Sequence, residues 1–421
     1  MRTTSPQPPP PAPNQGAEPA SPARPHPLEG LRILELGQLI AGPFATMLLA
    51  WFGADVIKVE PPAGGDPLRT WRQMHHGTSL WWYIMGRNKR SVTADLRTAD
   101  ARDLVRRLVV HCDVVLENFK PGRLEAWGLG YEELRRINPK VIMVRLSGWG
   151  QTGPYANKPG YASVAEGIGG LRYVNGHPDR PPARANLSLG DTIGGLHAAL
   201  GILAAVYNRD VGGSGRGQVV DVALFEAIFN MMESTLPEYT KYGAVRERQG
   251  STVSGIVPTN TYPCKDGTYL IIGGNGDSIF KRLMRVAGRP DMADDPRFAR
   301  NDGRVQHQQE IDAAIAAWAS QCSFDEALAA LEAAQVPAGP IYSIADQVKD
   351  PHFAARGLIE EVSLPDGDRV TLPRLAPVFS ETPGGTRWPG PPLGAHNEEV
   401  YGELLGLSRE TLDDLKARGV I

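Results

Sequence analysis

One carboxylate has the setting of a reacting group. Asp191 stands between Gly190 and Thr192 in the stretch 186–224, NLSLGDTIGGLHAALGILAAVYNRDVGGSGRGQVVDVAL. From Ile193 to Tyr207 the residues are apolar on nearly every helical face, the pattern of a helix buried inside a large core. An aspartate just before such a helix is commonly an N-cap, accepting a hydrogen bond from the first free backbone N–H groups. Two features add a second reading. Ser188, Gly190, Gly194 and Gly195 keep the flanks small, so another backbone or a ligand can come close. A carboxylate at the mouth of an apolar helix is also poorly hydrated, which costs free energy unless the group is paired or used. The chemistry open to a carboxylate in such a place is acid–base or nucleophilic catalysis. Spacing alone leaves cap and nucleophile both standing.

The elements that would position Asp191 alternate between strand and helix. Residues 31–36 (LRILEL) read as a strand, 37–53 as a helix ended by Gly53, and 54–60 as a second strand, a βαβ unit. Gly37 and Gly42 have the spacing G-x-x-x-x-G, not the GxGxxG of a dinucleotide fingerprint, which argues against a nicotinamide enzyme. The pattern repeats with a strand at 90–95, a helix at 101–111, a strand at 113–117, helices in 121–137 and a strand at 140–147. Such alternation predicts an α/β fold with a mostly parallel sheet covered on both faces and ligands beyond the carboxyl ends of the strands. Around those ends Arg87, Lys89 and Arg90 cluster, with Arg97, Lys120 and Arg123 further on; each is either a solvated surface charge or a phosphate ligand.

A strand at 218–224, a helix at 223–233, a hairpin at 261–274 and further helices set 225–340 apart as a smaller α+β domain. The chain thus divides into a disordered Pro-rich tail (1–27), a large domain (28–224, resumed at 341–421) and the small domain between. Its 421 residues suit two domains, and a formal net charge of −3 gives no support to a nucleic-acid or membrane-surface protein. Cys112, Cys264 and Cys322 lie far apart, which argues for reduced thiols in a cytoplasmic protein and against a disulfide framework or a zinc site; no metal-ligand set is read. The longest apolar run, 194–207, is too short and too glycine-rich to predict a bilayer span. The first 27 residues lack the apolar centre of a signal peptide.

Several phrases recur along the chain in one order: AGPFATMLLAWFGADVIKVEPP, NKRSVTADL, DVVLENFKPG, GYEELRRINPKVI, SGWGQTGPYANKPGYASVAEGIGGL, GDTIGGLHAALGILAAV, VPAGPIYSIADQVKDPHF and PPLGAHNEEV. Together they resemble the class III CoA-transferases, the CaiB/BaiF family, over 31–421. The resemblance implies a Rossmann-like large domain built from both chain ends, a small inserted domain and an interlocked homodimer, a threading that no sequence pattern would suggest. It implies acyl-CoA as a substrate rather than a tightly bound cofactor, with CoA passed to a small carboxylic acid. Asp191 falls on the family's nucleophilic aspartate, which works through an acyl-aspartyl anhydride and an aspartyl-CoA thioester. Ile40 and Ala41, Leu96 and Arg97, and Asn118, Phe119 and Lys120 fall on CoA-contacting segments. Pro61 and Ala126 stand where some members place an arginine for the nucleotide end, and Ile40 where the formyl-CoA branch has a glutamine; Gln38 and Arg123 are the neighbours that would compensate.

On the acid side, the loop 250–258 with Gly255 resembles the GSIVP-type loop of succinyl-CoA-dependent members. It either covers the intermediates or is a plain linker. Arg184, seven residues before Asp191, would pair with a second substrate carboxylate in bidentate fashion, or is a surface arginine. A racemase of the same fold needs the histidine of a GHD phrase for proton transfer. Here the phrase is Gly160-Tyr161-Ala162, so that machinery is incomplete and Tyr161 is left to the substrate side. A non-catalytic acyl-CoA-binding protein is the remaining alternative, and an intact Asp191 with its glycine neighbours argues against it.

Overall fold

The computed structural model describes residues 26–364 and 366–421. The expected disordered tail falls on residues 1–25, outside the described residues, except for its last two. Of these His26 is in contact with the body, its Nδ1 lying 3.2 Å from the Pro383 carbonyl.

Strand β1 (Arg32–Glu35), helix α1 (Ala41–Trp51) and β2 (Asp55–Glu60) form the first βαβ unit. A short hairpin follows, β3 (Met74–His75) and β4 (Thr78–Ser79), then α2 (Leu80–Met85), β5 (Lys89–Thr93), α3 (Ala99–Val109) and β6 (Val114–Glu117). Next come α4 (Arg123–Ala126), α5 (Tyr131–Ile137), β7 (Ile142–Ser147), α6 (Ala162–Ile168), α7 (Leu171–Val174), the long α8 (Leu189–Asp210) and β8 (Val219–Ala223). The main sheet runs β5-β2-β1-β6-β7-β8 with every pair parallel. Counted along the chain this is the doubly wound order 3-2-1-4-5-6, in which strand order reverses between β1 and β6 and leaves a crevice beyond their carboxyl ends.

Successive strand side chains point to opposite faces, so each strand feeds two cores. Ile33, Val56, Val114, Ile142 and Val144 face α1 and α8, packing with Ala45, Leu49, Ala198 and Ile202. Leu34, Ile57, Val92, Val115 and Met143 face the other way, onto Leu104, Val105 and Leu108 of α3. The end of the chain closes that second core with Tyr401, Leu412 and Leu415. The Tyr401 hydroxyl donates to the Thr93 carbonyl at 3.0 Å, and the Asp95 N–H to the Val420 carbonyl at 2.8 Å. A separate core holds the antiparallel sheet of β9 (Thr259–Pro263), β10 (Tyr269–Gly273) and β11 (Ala338–Pro340), with Tyr262, Leu270, Phe280, Ile311 and Leu331. A last hairpin, β12 (Ile359–Ser363) and β13 (Arg369–Pro373), sets Leu364 and Leu372 against Tyr83 of α2.

Four expectations differ from the structure. Helix α8 begins at Leu189, so Asp191 lies within its first turn rather than ahead of it. At 22 residues α8 is long and apolar enough, by length and composition, to cross a bilayer, which the shorter apolar run did not foretell. Nor is α8 buried all round. Ala198, Ala199, Ile202 and Ala205 pack inward, while Leu196, Leu200 and Tyr207 are 52%, 67% and 65% exposed in the single chain. Its inward face is close-fitting: a Cβ on Gly195 would lie 2.8 Å from the Ala41 carbonyl oxygen and 2.9 Å from Phe44 Cδ1. The helix expected at 223–233 covers only Leu224–Phe229.

Candidate active site

The crevice between β1 and β6 is floored by a loop held in place from three sides. Leu39 has φ +66°, a left-handed conformation uncommon for a residue with a Cβ. Both Asp66 carboxylate oxygens accept its N–H at 3.1 Å, and Lys58 Nζ holds Asp66 at 2.8 Å. Asn118 clasps the residue before it: its Oδ1 accepts the Gln38 N–H at 2.9 Å and its Nδ2 donates to the Gln38 carbonyl at 2.7 Å. Glu117 accepts the Phe119 N–H at 2.7 Å and pairs with Arg145 at 2.8 Å; burial nonetheless pushes its carboxyl up to about 7. These contacts fix the backbone at Gln38, Leu39 and Phe119.

Two cavities adjoin at this loop. The larger, about 780 Å³, is lined by Val59, Pro61, Leu96, Arg97, Arg123 and Trp127, together with Gln38 and Phe119. The smaller, about 230 Å³, is lined by Gln38, Ile40, Ala41, Asn118, Phe119, Tyr161 and Asp191. Gln38 and Phe119 line both. Positive charge sits only in the larger: the Arg123 guanidinium lies 5.5 Å over the Trp127 ring, and the mostly exposed Arg97 forks onto Asp95 at 2.8 Å through two nitrogens. An elongated ligand with an anionic end in the larger cavity would bring its other end to Asp191.

At that inner end the first turn of α8 meets α6. Gly190 permits the approach, since a Cβ there would lie 3.0 Å from Ala162 Cβ and 3.2 Å from Glu166 Cγ. Glu166 is buried and accepts the Gly190 N–H at 3.2 Å. Two guanidiniums share its carboxylate, Arg172 through Nε at 3.2 Å and Arg184 through Nε at 3.1 Å. Burial pushes Asp191 up to about 6; the Glu166 charge adds to the shift and Arg184 opposes it. Among the described residues no hydrogen bond holds the Asp191 carboxylate. The helix N-terminus would favour the anion, so burial outweighs it here. The result is a carboxylate that is ionised at neutral pH yet more basic than a solvated one, the combination a nucleophile needs.

The structure brings Asp191, Gln38, Ile40, Ala41, Asn118, Phe119 and Tyr161 around one cavity, and Leu96, Arg97 and Arg123 around the other. Lys120 is exposed and lines neither. Gly255 also lines neither; its carbonyl accepts from Asn301 Nδ2 at 2.8 Å. Arg184 is turned onto Glu166 instead of standing free. Arg87, Lys89 and Arg90 are not ligand groups, because β5 starts at Lys89 and its amino end faces away from the crevice. Lys89 is buried on Glu35 at 2.7 Å, Arg87 donates to the Pro373 carbonyl at 2.8 Å, and Arg90 donates to Asp55 at 2.9 Å. Glu166 was missed altogether; in sequence it is one acidic residue in a helix, and only the α6–α8 contact gives it a role.

Comparison with known proteins agrees with this geometry. The model of CoA-transferase family III matches residues 28–397. Succinyl-CoA–D-citramalate CoA-transferase of Chloroflexus aurantiacus is 49% identical over 398 residues, spanning 94% of this chain and 98% of its own. Succinate–glutarate CoA-transferase of Agrobacterium fabrum is 38% identical over 395 residues, spanning 92% of this chain and 98% of its own. The crystal structure of a CAIB/BAIF family protein from Brucella suis matches with a TM-score of 0.79 at 37% identity, covering 90% of this chain and 99% of that one. A family match over most of its length, on a fold whose cleft ends at a half-buried carboxylate, makes this chain a member of CoA-transferase family III, an enzyme that transfers CoA between an acyl-CoA and a carboxylic acid.

Proposed function

We propose that the enzyme moves CoA from succinyl-CoA to a short dicarboxylic acid through covalent intermediates on Asp191. The observation that carries the reading is the half-buried Asp191 carboxylate at the inner end of the cleft, held by no hydrogen bond among the described residues. It attacks the thioester carbonyl, the C–S bond breaks, and CoA leaves as thiolate from a succinyl-aspartyl anhydride. The thiolate then attacks the aspartyl carbonyl and expels succinate, which leaves an aspartyl-CoA thioester. The acceptor carboxylate attacks that thioester and releases the thiolate, which takes the acceptor acyl group and restores the Asp191 carboxylate. Holding the thiolate beside the anhydride makes the return steps effectively intramolecular, an advantage worth on the order of 7 kcal/mol or more when geometry is right.

Charge supports the dicarboxylate. Arg172 and Arg184 bring two positive charges to the single negative charge of Glu166. Once Asp191 is acylated it is neutral, and the surplus positive charge suits a second carboxylate on the acid. The relatives point the same way, since succinyl-CoA or succinate appears with citramalate or glutarate in their names. Arg97 and Arg123 take the phosphate end of CoA, with Gln38, Ile40, Ala41, Leu96, Asn118 and Phe119 along its length. The exposed stripe of Leu196, Leu200 and Tyr207 calls for cover and supports a homodimer, interlocked as in the family, with a small domain at 225–340 between two parts of a large one. The free thiols Cys112, Cys264 and Cys322 support a cytoplasmic setting.

A matrix of acyl-CoA donors and acid acceptors, read by mass spectrometry of the CoA products, tests the substrates. Succinyl-CoA with dicarboxylates should give the highest kcat/KM. Arg184→Lys should raise KM at least tenfold for dicarboxylates and little for monocarboxylates, because a point charge cannot reproduce the guanidinium fork. A monocarboxylyl-CoA as best donor, or an equal loss for every acid, would reject this assignment.

A further inference from the structure

We propose that His75, His76 and Asp368 form a binding site for a divalent cation of the zinc class, tying together two hairpins from distant parts of the chain. His75 ends β3 and His76 opens the turn into β4; Asp368 stands at the turn that leads into β13. One donor atom from each of the three residues lies within 4.8 Å of the others.

His75 carries most of the weight. Its Nε2 is buried and has no hydrogen-bond partner among the described residues. A buried ring nitrogen left unpaired is unusual enough to need a reason. Two carboxylates face it without closing on it: Asp368 Oδ2 at 3.4 Å and Asp366 Oδ2 at 3.7 Å. An N–H···O bond would draw such a pair to about 2.9 Å. Zinc bonds of about 2.1 Å instead set neighbouring donors of a tetrahedron about 3.4 Å apart. His75 and Asp368 therefore already stand as two corners of such a site. The His76 ring meets that of His75 at 4.2 Å between centroids and supplies a third, and the half-exposed Asp366 or a water supplies the fourth.

The turn adds an independent hint. His76 has φ +45° and Gly77 φ +83°, a two-residue hairpin turn that asparagine or aspartate followed by glycine fills best. A histidine in the first place is a poorer fit to the backbone, which favours a use for its side chain. Imidazole with carboxylate is a donor set suited to zinc and neighbouring transition metals, less so to magnesium or calcium. Both hairpins adjoin α2, at Leu80 and through Tyr83, so an ion between them would anchor the returning segment of the chain to the N-terminal part of the sheet domain. Sequence spacing could not reveal such a site because its ligands come from two separate turns.

Titration of the chelator-treated full chain with zinc chloride tests the proposal, alongside the visible spectrum of the same chain loaded with cobalt(II). One zinc per chain should bind, the cobalt protein should show the intense bands of four-coordinate geometry, and zinc should raise Tm. Asp368→Asn and His76→Asn, the second chosen to suit the turn, should each raise Kd at least tenfold and abolish the cobalt bands. Circular dichroism and CoA transfer without zinc should be unchanged in both. A chain that shows no saturable zinc binding at micromolar concentration, or an affinity and cobalt spectrum that neither variant alters, overturns the site. If His75→Ala does not fold, His76→Asn alone still decides the question.

Discussion

At Asp191 burial and the Glu166 charge favour the protonated form while Arg184 favours the anion, and the balance lies near pH 6. The nucleophile is the anion, so kcat/KM for the donor should fall as pH drops through about 6. Glu166→Gln removes the like charge and should move this acid limb to lower pH; a Glu166 that only packs would change the plateau and leave the limb where it is. The same balance predicts a cost to the fold. A carboxyl whose pKa is raised by folding binds its proton more tightly in the native state, so stability falls as pH rises from the unfolded value to the folded one. Above about pH 6 the whole penalty is present, on the order of 3 kcal/mol at 1.36 kcal/mol per pKa unit before the partial exposure of Asp191 lessens it. Asp191→Asn should therefore melt above the parent at pH 7.5, with the difference closing near pH 4, as calorimetry would show. Lower or unchanged Tm at pH 7.5 would mean that the carboxylate is better paired than the geometry allows. At this scale Asp191 and Phe119 were legible as candidates because they sit in the phrases GDTIGGLHAALGILAAV and DVVLENFKPG, and Gln38 only as a neighbour of Ile40. Glu166 was not, because its two arginine partners and the Gly190 N–H meet it only after α6 has crossed α8.

Among the elements, α8 and the loop ahead of α1 do the positioning. The crossing of α1 and α8 depends on Gly195, where any Cβ meets the Ala41 backbone and the Phe44 ring. Gly195→Val should destabilise the chain by about 1–3 kcal/mol through overpacking and lower kcat, since Ala41 lines the cavity that holds Asp191. An unchanged denaturation midpoint with full activity would show that the helices can separate without disturbing the site. The strands were readable because parallel strands covered on both faces are nearly continuous apolar runs, as in VVLE of β6 and VIKV within β2. The misreading of Lys89 and Arg90 has an equally physical cause. A basic cluster says nothing about which end of a strand it occupies, and these residues open β5 rather than close it. The start of α8 lies four residues ahead of the Ile193 expected from the apolar run, because its first turn, Leu189–Thr192, is mostly small and polar and its N-cap Ser188 makes no capping hydrogen bond.

For the molecule as a whole, the exposed stripe on α8 is the feature that a single chain leaves unexplained. Leu200→Arg, at the most exposed leucine of that stripe, should convert a dimer to a monomer in light scattering and abolish transfer. A parent that is itself monomeric and active would refute the dimer. A parallel sheet with a core on each face follows from the alternation of strand and helix, whereas the doubly wound order does not, since alternation leaves strand order open. The helix pattern told that α8 is apolar but not which of its faces stays exposed in the single chain. Whether Asp191 carries the acyl and CoA groups is decided by intact mass spectrometry of the full chain quenched during turnover. With succinyl-CoA present, a fraction of the parent protein should carry added CoA less water, peptide mapping should place that mass on Asp191, and Asp191→Ala should carry none while turning over at least a thousandfold more slowly. An active enzyme whose mass never changes, or an adduct on any other residue, would contradict it.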